Sequence, residues 1–498
     1  MKEQLLFKST PLEKFDLLTK DEVVELARGY EDLLDQMQNK YKKLEEKLLA
    51  GEQTSFLLGE QLLNIKSKLF GKSSEKSPQK SHEKEKKRSS KKRVRLPSER
   101  YPNLDIIEKE VTLDQMPVCP CCSAEMSDSG MTEDSEYLTV IPKQYYVVRQ
   151  KRHKYRCGSC QGAITTAPAI PRIKEGGSFS DEMTIDVAVS KYLELMPIER
   201  YASIAKREGI DLAPNSLIQL THSLADFVEP VYEDIGKDVF ASEVVHADET
   251  PHRMLEGDNK SNWYLWGFNN GRSSYFDARD TRSGSVASEY LKESSCKYLV
   301  SDVFSGYKRA LSDANKDRSE NPILELYCNA HARRKFKESE HNFVESEFFL
   351  HCYRKIYKLQ KSEFAKNKQW QRLYMRAMLL KAQKLIHSVS SKSSLAKALS
   401  YFMKNFEGLV RFTSRSDLPI DNNSQERELR TPVIGRKTWY GTHSKRGART
   451  MSILFSIIQS CKLSNVNPRH YLRDLVKAIH EGCPHFTPNE YSQMEESA

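Results

Sequence analysis

Glu243-Val-Val-His-Ala-Asp-Glu-Thr-Pro-His-Arg-Met254 begins with a short apolar run and ends in a cluster of acids, bases and hydroxyls. Val244 and Val245 read as a buried strand that delivers a carboxylate, Asp248 or Glu249, to the end of a sheet, and Pro251 is expected to stop the strand. Cys296-Lys-Tyr-Leu-Val-Ser-Asp302 repeats the arrangement: a short apolar strand closing on an aspartate. Acids close many strands simply because the chain reaches water there, so neither stretch is decisive alone. Two such carboxylates in one domain are what a divalent-metal site needs, because Mg²⁺ takes hard oxygen ligands and leaves room for water and phosphate.

Outward from these strands the pattern continues. Trp263-Tyr-Leu-Trp-Gly-Phe268 and Ser274-Tyr-Phe-Asp277 are strand-like and joined by Asn269-Asn-Gly271, a hairpin turn signal. A helix is expected over Ser283 to Leu291, another over Tyr307 to Leu311, and a fifth strand over Ile323 to Cys328. Three hairpin-joined strands followed by strand–helix–strand is the order of a ribonuclease-H-like sheet. In that fold a carboxylate on the first strand and one on the fourth lie side by side, and a third comes from a later helix.

Residues 332–417 are rich in Lys and Arg at helical spacing and read as a helical insertion. Ile420-Asp-Asn-Asn-Ser-Gln-Glu-Arg-Glu-Leu-Arg430 then offers an N-cap in Asp421-Asn422 and acids at Glu426 and Glu428. On a helix starting near Asn422, Glu428 lies about 200° round from Glu426, so the two cannot face one metal. Glu426, three residues from Leu429, is expected nearer the buried face, and Asp421 is expected to serve the free backbone N–H groups. Ile434-Gly-Arg-Lys-Thr-Trp439 and Ser444-Lys-Arg-Gly-Ala448 gather cations, a hydroxyl and an aromatic. An apolar helix over Met451 to Cys461 follows, and a last amphipathic helix opens at Asn467.

Upstream, residues 180–235 read as helical. A helix stopped at Gly209 and a second begun near Pro214, with Leu217 and Leu220 inward, is similar to a helix-turn-helix, although helical hairpins without DNA share that pattern. Cys119-Pro-Cys-Cys122 and Cys157-Gly-Ser-Cys160 are two Cys-x-x-Cys knuckles, the spacing of a zinc ribbon in which Cys119, Cys122, Cys157 and Cys160 close a tetrahedral Zn²⁺ site. Cys121 is a spare thiol in the first knuckle that could substitute there as a ligand, although Cys119 and Cys122 have the right spacing. Glu136 to Tyr155 alternates like the hairpin of such a ribbon. Lys72 to Arg95 has almost no apolar residue and reads as a disordered linker; its cations suit either a plain solvated tether or DNA phosphates. Thr19-Lys-Asp-Glu22 is a capping box, and Val23, Leu26, Tyr30, Leu33, Met37, Tyr41, Leu44 and Leu48 form a stripe suited to a short coiled coil and self-association.

The bulk composition agrees. A chain of 498 residues exceeds one ordinary core, and a net charge of +10 favours a polyanionic partner. No run approaches a membrane span and no secretory signal opens the chain, so a reducing, bacterial-type cytoplasm is expected, with the ten cysteines as thiols and metal ligands.

Taken together, Lys68-Leu-Phe-Gly-Lys-Ser-Ser-Glu-Lys76, the two knuckles, His246-Ala-Asp-Glu-Thr250, Ser301-Asp-Val-Phe-Ser-Gly-Tyr307, Cys328-Asn-Ala-His-Ala-Arg-Arg-Lys-Phe336 and Asp421-Asn-Asn-Ser-Gln-Glu-Arg427 running on to Gly435-Arg-Lys-Thr-Trp439 resemble the transposases of the insertion sequence 66 family over nearly the whole chain. The resemblance implies a multidomain α+β protein with a ribonuclease-H-like core. It also implies an Asp-Asp-Glu triad of Asp248, Asp302 and Glu426 holding two Mg²⁺, with Mn²⁺ as a substitute. The reaction implied is hydrolysis at transposon ends followed by strand transfer into target DNA, in a nucleoid-associated setting. A structural Zn²⁺, double-stranded DNA bearing terminal inverted repeats, a homodimer or higher oligomer and small companion proteins are the implied cofactor and partners. Arg333, Arg334, Arg436, Lys437, Trp439, Lys445 and Arg446 are the candidate DNA contacts, while His331 suits either phosphate steering or a structural role. Val303-Phe304 stands where an aromatic and a small residue are more usual. The regions expected are 1–71 (helical, coiled coil), 72–100 (linker), 101–172 (zinc ribbon), 173–240 (helical), 241–337 (core), 338–417 (insertion), 418–462 (core completion) and 463–498 (helical tail). The rival readings are a nuclease or resolvase with the same triad but no joining step, and a zinc-ribbon regulator whose carboxylates are not catalytic.

Overall fold

A computed structural model describes residues 96–111, 117, 120–126, 135–140, 143–156, 164–255, 262–361 and 368–497. The coiled-coil stripe, most of the basic linker, and Cys119, Cys157 and Cys160 lie outside these residues. Two compact units are present, one within residues 72–169 and one holding everything from Ile170 onward.

In the smaller unit, Lys154–Arg156 pairs antiparallel with Ile164–Thr166. This corrects the expected ladder over 136–155: the described residues of that stretch before Lys154 form no strand, and Val140, Val147 and Val148 are exposed. Alternation alone makes no sheet where there is nothing for the apolar face to pack on. Pro97–Arg100 forms one helical turn, with Pro97 in the first turn where its missing N–H costs nothing. This turn occupies the last residues of the stretch 72–100 expected as linker.

The larger unit opens with helices α1 (Asp181–Tyr192), α2 (Ile198–Arg207), α3 (Pro214–Phe227) and α4 (Glu229–Ala241). Gly209, at φ +82°, turns the chain after α2, and Pro214 starts α3 at N1. Leu217 and Leu220 of α3 pack with Val187, Ile198 and Tyr201, as the helical spacing demands.

A sheet follows: β1 (Val244–Arg253), β2 (Asn262–Asn269), β3 (Ser274–Arg279), helix α5 (Gly284–Lys292), β4 (Tyr298–Ser301), helix α6 (Ser305–Ala314) and β5 (Leu324–Tyr327). The strand order is β3-β2-β1-β4-β5, antiparallel from β3 to β1 and parallel from β1 to β5. Contrary to expectation, Pro251 does not stop β1; it pairs with Tyr264 inside the β1–β2 ladder. Strand alternation points its nitrogen away from β2, toward the side where β4 has already ended, so no ladder bond is lost. Helices α5 and α6 touch backbone to backbone: a Cβ on Gly284 would sit 2.1 Å from the Gly306 carbonyl oxygen.

Helices α7 (Asn329–Ser339), α8 (Ser346–Gln360), α9 (Gln369–Leu385), α10 (Ser394–Lys404) and α11 (Phe406–Val410) come next. They enclose a core of their own around Phe336, Phe349, Tyr353 and Phe402, continuous with Val300 and Leu326 of the sheet. Helix α12 (Asn423–Trp439) returns to the sheet, and α13 (Lys445–Leu463), α14 (Pro468–His480) and α15 (Pro488–Ser497) complete the unit.

Helix α13 is buried along its length and covers the outer edge of β3. Its serines stand in for a missing sixth strand. Ser452, Ser456 and Ser460 Oγ accept the backbone N–H groups of Ala278, Phe276 and Ser274 at 3.1, 2.9 and 2.9 Å. Buried donors on an edge strand need such partners. No helix among the described residues is long and apolar enough to cross a membrane.

Candidate active site

The register of the two central strands decides what meets what. β1 and β4 run parallel, with Val244, Val245 and His246 opposite Tyr298, Leu299 and Val300. Two residues beyond the last pair stand Asp248 on β1 and Asp302 just past the end of β4. Strand alternation puts His246 and Asp248 on one face and Ala247 and Glu249 on the other.

Helix α12 covers the His246 face. His246 Nδ1 lies 3.0 Å from Asn422 Oδ1, and Asn422 Nδ2 donates to the Ala247 carbonyl at 2.8 Å. Asn422 N–H donates to Cys328 Sγ at 3.2 Å, joining the start of α12 to the end of β5. Two and three residues beyond Asn422, Ser424 Oγ donates to Asn269 Oδ1 and Gln425 Oε1 accepts from Asn269 Nδ2. The close approach depends on Gly267, the β2 partner of Asp248, because a Cβ there would meet Gln425 Nε2 at 2.1 Å. The first turn of α12, with Glu426, is thereby held against the β1 carboxylate. Asp421 accepts from Asn423 N–H at 3.1 Å, the local role expected of it.

Charge on this face is one-sided. Burial, then the neighbouring Glu249, Asp302 and Glu426 carboxylates, push Asp248 up to about 8, against a bond from the Glu249 N–H at 2.9 Å. Asp302 Oδ1 accepts from Phe304 N–H at 2.9 Å, which fixes the carboxylate at the strand end. On the opposite face Glu249 is already satisfied: Arg282 Nη2 reaches Oε1 at 2.7 Å and Tyr307 Oη donates to Oε2 at 2.6 Å. Burial raises Glu249, while Tyr307 and Arg282 pull the other way. Of Asp248 and Glu249, only Asp248 is turned toward α12.

Glu426 Oε1 lies 3.7 Å from His331 Nδ1, beyond hydrogen-bond reach, and both atoms are buried without a hydrogen-bond partner. Glu428 departs from the helical-wheel expectation. It is 9% exposed and buried, whereas Glu426, expected nearer the buried face, has its side chain 21% exposed, because α12 is covered on two sides. Its surroundings differ, however: burial pushes it up to about 7, with Lys462 of α13 and Arg427 acting the other way. The two acids face different neighbours.

Comparison with known proteins gives the context. Residues 176–450 match the family model "Transposase IS66 family", and residues 117–161 match the "zinc-finger binding domain of transposase IS66". The chain belongs to the IS66 family of transposases. Similar chains occur in Sinorhizobium fredii (strain NBRC 101917 / NGR234). "Uncharacterized protein y4jD" is 26% identical over 73% of this chain and 75% of its own. "Uncharacterized protein y4hP" is 26% identical over 76% and 74%, and "Uncharacterized protein y4qI" 27% over 76% and 73%. Membership in a transposase family makes DNA the partner and a nucleic-acid-processing enzyme the class, and the zinc-finger match supports a structural Zn²⁺.

The basic residues singled out in this IS66 chain are spread over three helices. Arg333 and Arg334 lie on α7, five and six residues after the Cys328 cap. Arg436 and Lys437 sit in the last turn of α12. Lys445 and Arg446 open α13, with Arg446 paired to Asp226 at 2.8 Å. Trp439 is half-buried: its ring meets Tyr192 edge-on at 6.2 Å and carries the Lys191 ammonium 4.3 Å from its centre. Of the four cysteines expected to hold Zn²⁺ only Cys122 is described, as an exposed thiol; Cys121 is exposed as well. Sequence reasoning overlooked Arg282 and Tyr307, the clamp on Glu249, and the thiol of Cys328. Arg282 gave no signal because it is an ordinary residue just outside a predicted element, and Tyr307, which opens a predicted helix, gave none because nothing in its spacing says that it reaches Glu249. Cys328 stood in a quoted motif beside His331, at a spacing that puts both in one helical turn.

Proposed function

We propose that this chain is an Asp-Asp-Glu DNA transposase that cuts transposon ends and joins them to target DNA on a ribonuclease-H-like core. The observation that carries the reading is the β1–β4 register, which leaves Asp248 and Asp302 adjacent on the central strands with Glu426 within electrostatic reach. The strand order and the mixed parallel pattern support the core assignment.

The donor set fits two hard divalent cations. A carboxyl held protonated to about pH 8 by burial and three neighbouring acids is in the condition that a cation relieves. Among the described residues, Asp248, Asp302 and Glu426 are not gathered within 4.8 Å of one another, as ligands of a single ion are. Two ions about 3.5–4 Å apart bridge a wider set. Asp248 would contact both ions, with Asp302 and Glu426 on one each. Bound Mg²⁺ or Mn²⁺ supplies activation of the attacking water or 3′-hydroxyl and stabilisation of the leaving oxygen. The protein supplies placement: Asn422, Ser424 and Gln425 tie α12 to β1 and β2, Phe304 N–H fixes Asp302, and Arg282 with Tyr307 keeps Glu249 out of the set.

Arg333, Arg334, Arg436, Lys437, Lys445 and Arg446 are assigned to DNA phosphates. Trp439 contributes first to packing and reaches a base only if Lys191 and Tyr192 yield. Cys119, Cys122, Cys157 and Cys160 are assigned to the structural Zn²⁺, and residues 19–50 to pairing two copies across the two ends. Incubating the full chain with Mg²⁺ and terminal-repeat DNA tests the reading. Joined product is expected; cleavage without joining would favour a nuclease, and binding alone a regulator. Asp248→Asn, Asp302→Asn and Glu426→Gln should each abolish cleavage while keeping DNA binding, and Glu428→Gln should cut. Normal cutting by Glu426→Gln would overturn the triad.

A further inference from the structure

We infer that Cys328, His331 and Glu426 form a second metal site, one for a borderline-soft cation such as Zn²⁺, distinct from the cysteine knuckles and competing with the proposed Mg²⁺ set for Glu426. Among the described residues this is the only group of three potential ligands whose donor atoms all lie within 4.8 Å of one another. A tetrahedral zinc with bonds of about 2.0–2.3 Å needs donors about 3.3–3.8 Å apart. The His331 Nδ1–Glu426 Oε1 separation is already 3.7 Å. Neither atom has a hydrogen-bond partner although both are buried, which is costly unless something visits them.

The scaffold is firm. Cys328 caps α7 and His331 follows one turn later on the same helix, so thiol and imidazole share a side. Glu426 comes from the first turn of α12, whose Asn422 N–H bonds the Cys328 sulfur. The donor types choose the ion. Sulfur and imidazole nitrogen disfavour Mg²⁺ and favour Zn²⁺, and three protein ligands leave a fourth position for water. Binding replaces the Cys328 S–H by a metal–sulfur bond and releases that proton to solvent, one per ion. The consequence for cleavage rests on the triad reading: an ion held here takes Glu426 away from the strand-end aspartates. The site itself does not rest on it.

Zinc per chain, measured on full-length protein equilibrated with Zn²⁺ and passed into metal-free buffer, tests the inference. Wild type should carry one equivalent more than Cys328→Ser or His331→Gln, and Glu426→Gln should bind the extra ion at least about tenfold more weakly. Each variant should keep the wild-type circular dichroism; His331→Gln, at a part-exposed position, guards against misfolding of Cys328→Ser. Equal zinc in wild type and both variants overturns the site. Asp248→Asn separates the two ideas, since it should keep the extra zinc whether or not it cuts DNA. If it cuts normally, the triad fails while the zinc count stands. In cleavage assays at fixed Mg²⁺, added Zn²⁺ should inhibit wild type at concentrations at least about tenfold below those that inhibit His331→Gln.

Discussion

Replacing Asp248 with Asn should make the Mg²⁺-free protein more stable, and increasingly so as pH rises. Burial and the surrounding acids raise the Asp248 carboxyl from 3.8 to about 8. A carboxyl raised in this way holds a proton in the native state that the unfolded chain has already released. The stability it lends is fully present below about pH 4 and is lost as pH climbs through about 8. Between pH 5 and pH 8 about 2.7 of the 4.2 units are titrated, about 3.7 kcal/mol at 1.36 kcal/mol per unit. Partial exposure of the site and relaxation of its neighbours halve that to about 2 kcal/mol. Asparagine has no ionised form and escapes the penalty. Urea unfolding followed by tryptophan fluorescence is suited to the test, because Trp263, Trp266, Trp370 and Trp439 all lie beyond Ile170 and report only the larger unit. The advantage of Asp248→Asn over wild type should grow by about 2 kcal/mol from pH 5 to pH 8, and saturating Mg²⁺ should cancel or reverse it by binding native wild type. A pH dependence identical in the two proteins would refute the argument, and so would an asparagine variant that is the weaker one at pH 8 without Mg²⁺.

Three further outcomes are expected. Ser456→Ala leaves the buried Phe276 N–H without a partner and should cost about 1–3 kcal/mol, with faster amide exchange at Phe276 as the local readout. Glu428, raised to about 7 mainly by burial, loses its stabilising contribution as pH rises through that value, so Glu428→Gln should flatten the unfolding midpoint between pH 5 and pH 8. A fragment of residues 19–50 should sediment as a dimer or larger; a monomer at high concentration would return its apolar stripe to an intramolecular core.

Much of the sheet was legible in the chain. Val244-Val245, Trp263 to Phe268 and Tyr298 to Val300 are apolar runs bounded by turn signals, and each forms a strand where expected. Pro251 misled because a sequence does not say on which side of a strand its missing N–H falls. The alternation over 136–153 misled because period two means little without a second layer. At the candidate site, Asp248 and Asp302 stood out as acids ending apolar strands. The choice between Asp248 and Glu249 was open until their faces were known, since it depends on Arg282 and Tyr307 arriving from elsewhere. Glu428 shows the limit of a helical wheel: one stripe of apolar residues identifies one covered face, whereas α12 has two.

The serine rungs between α13 and β3 also set a limit on their own length. Four residues of helix rise about 6.0 Å, while two residues of antiparallel strand span about 6.8 Å. Each rung therefore falls about 0.8 Å behind the amide it serves, and three rungs spread about 1.6 Å of mismatch over their length. Hydrogen bonds of 2.9 to 3.1 Å absorb that much by tilting of the hydroxyls, and one step further Ser464 Oγ still reaches the edge, donating to the Arg272 carbonyl at 3.2 Å. The limit lies at the other end, where the residue four before Ser452 is Ala448 and has no hydroxyl, so lengthening β3 past Arg279 would expose a free amide for another chain to bind.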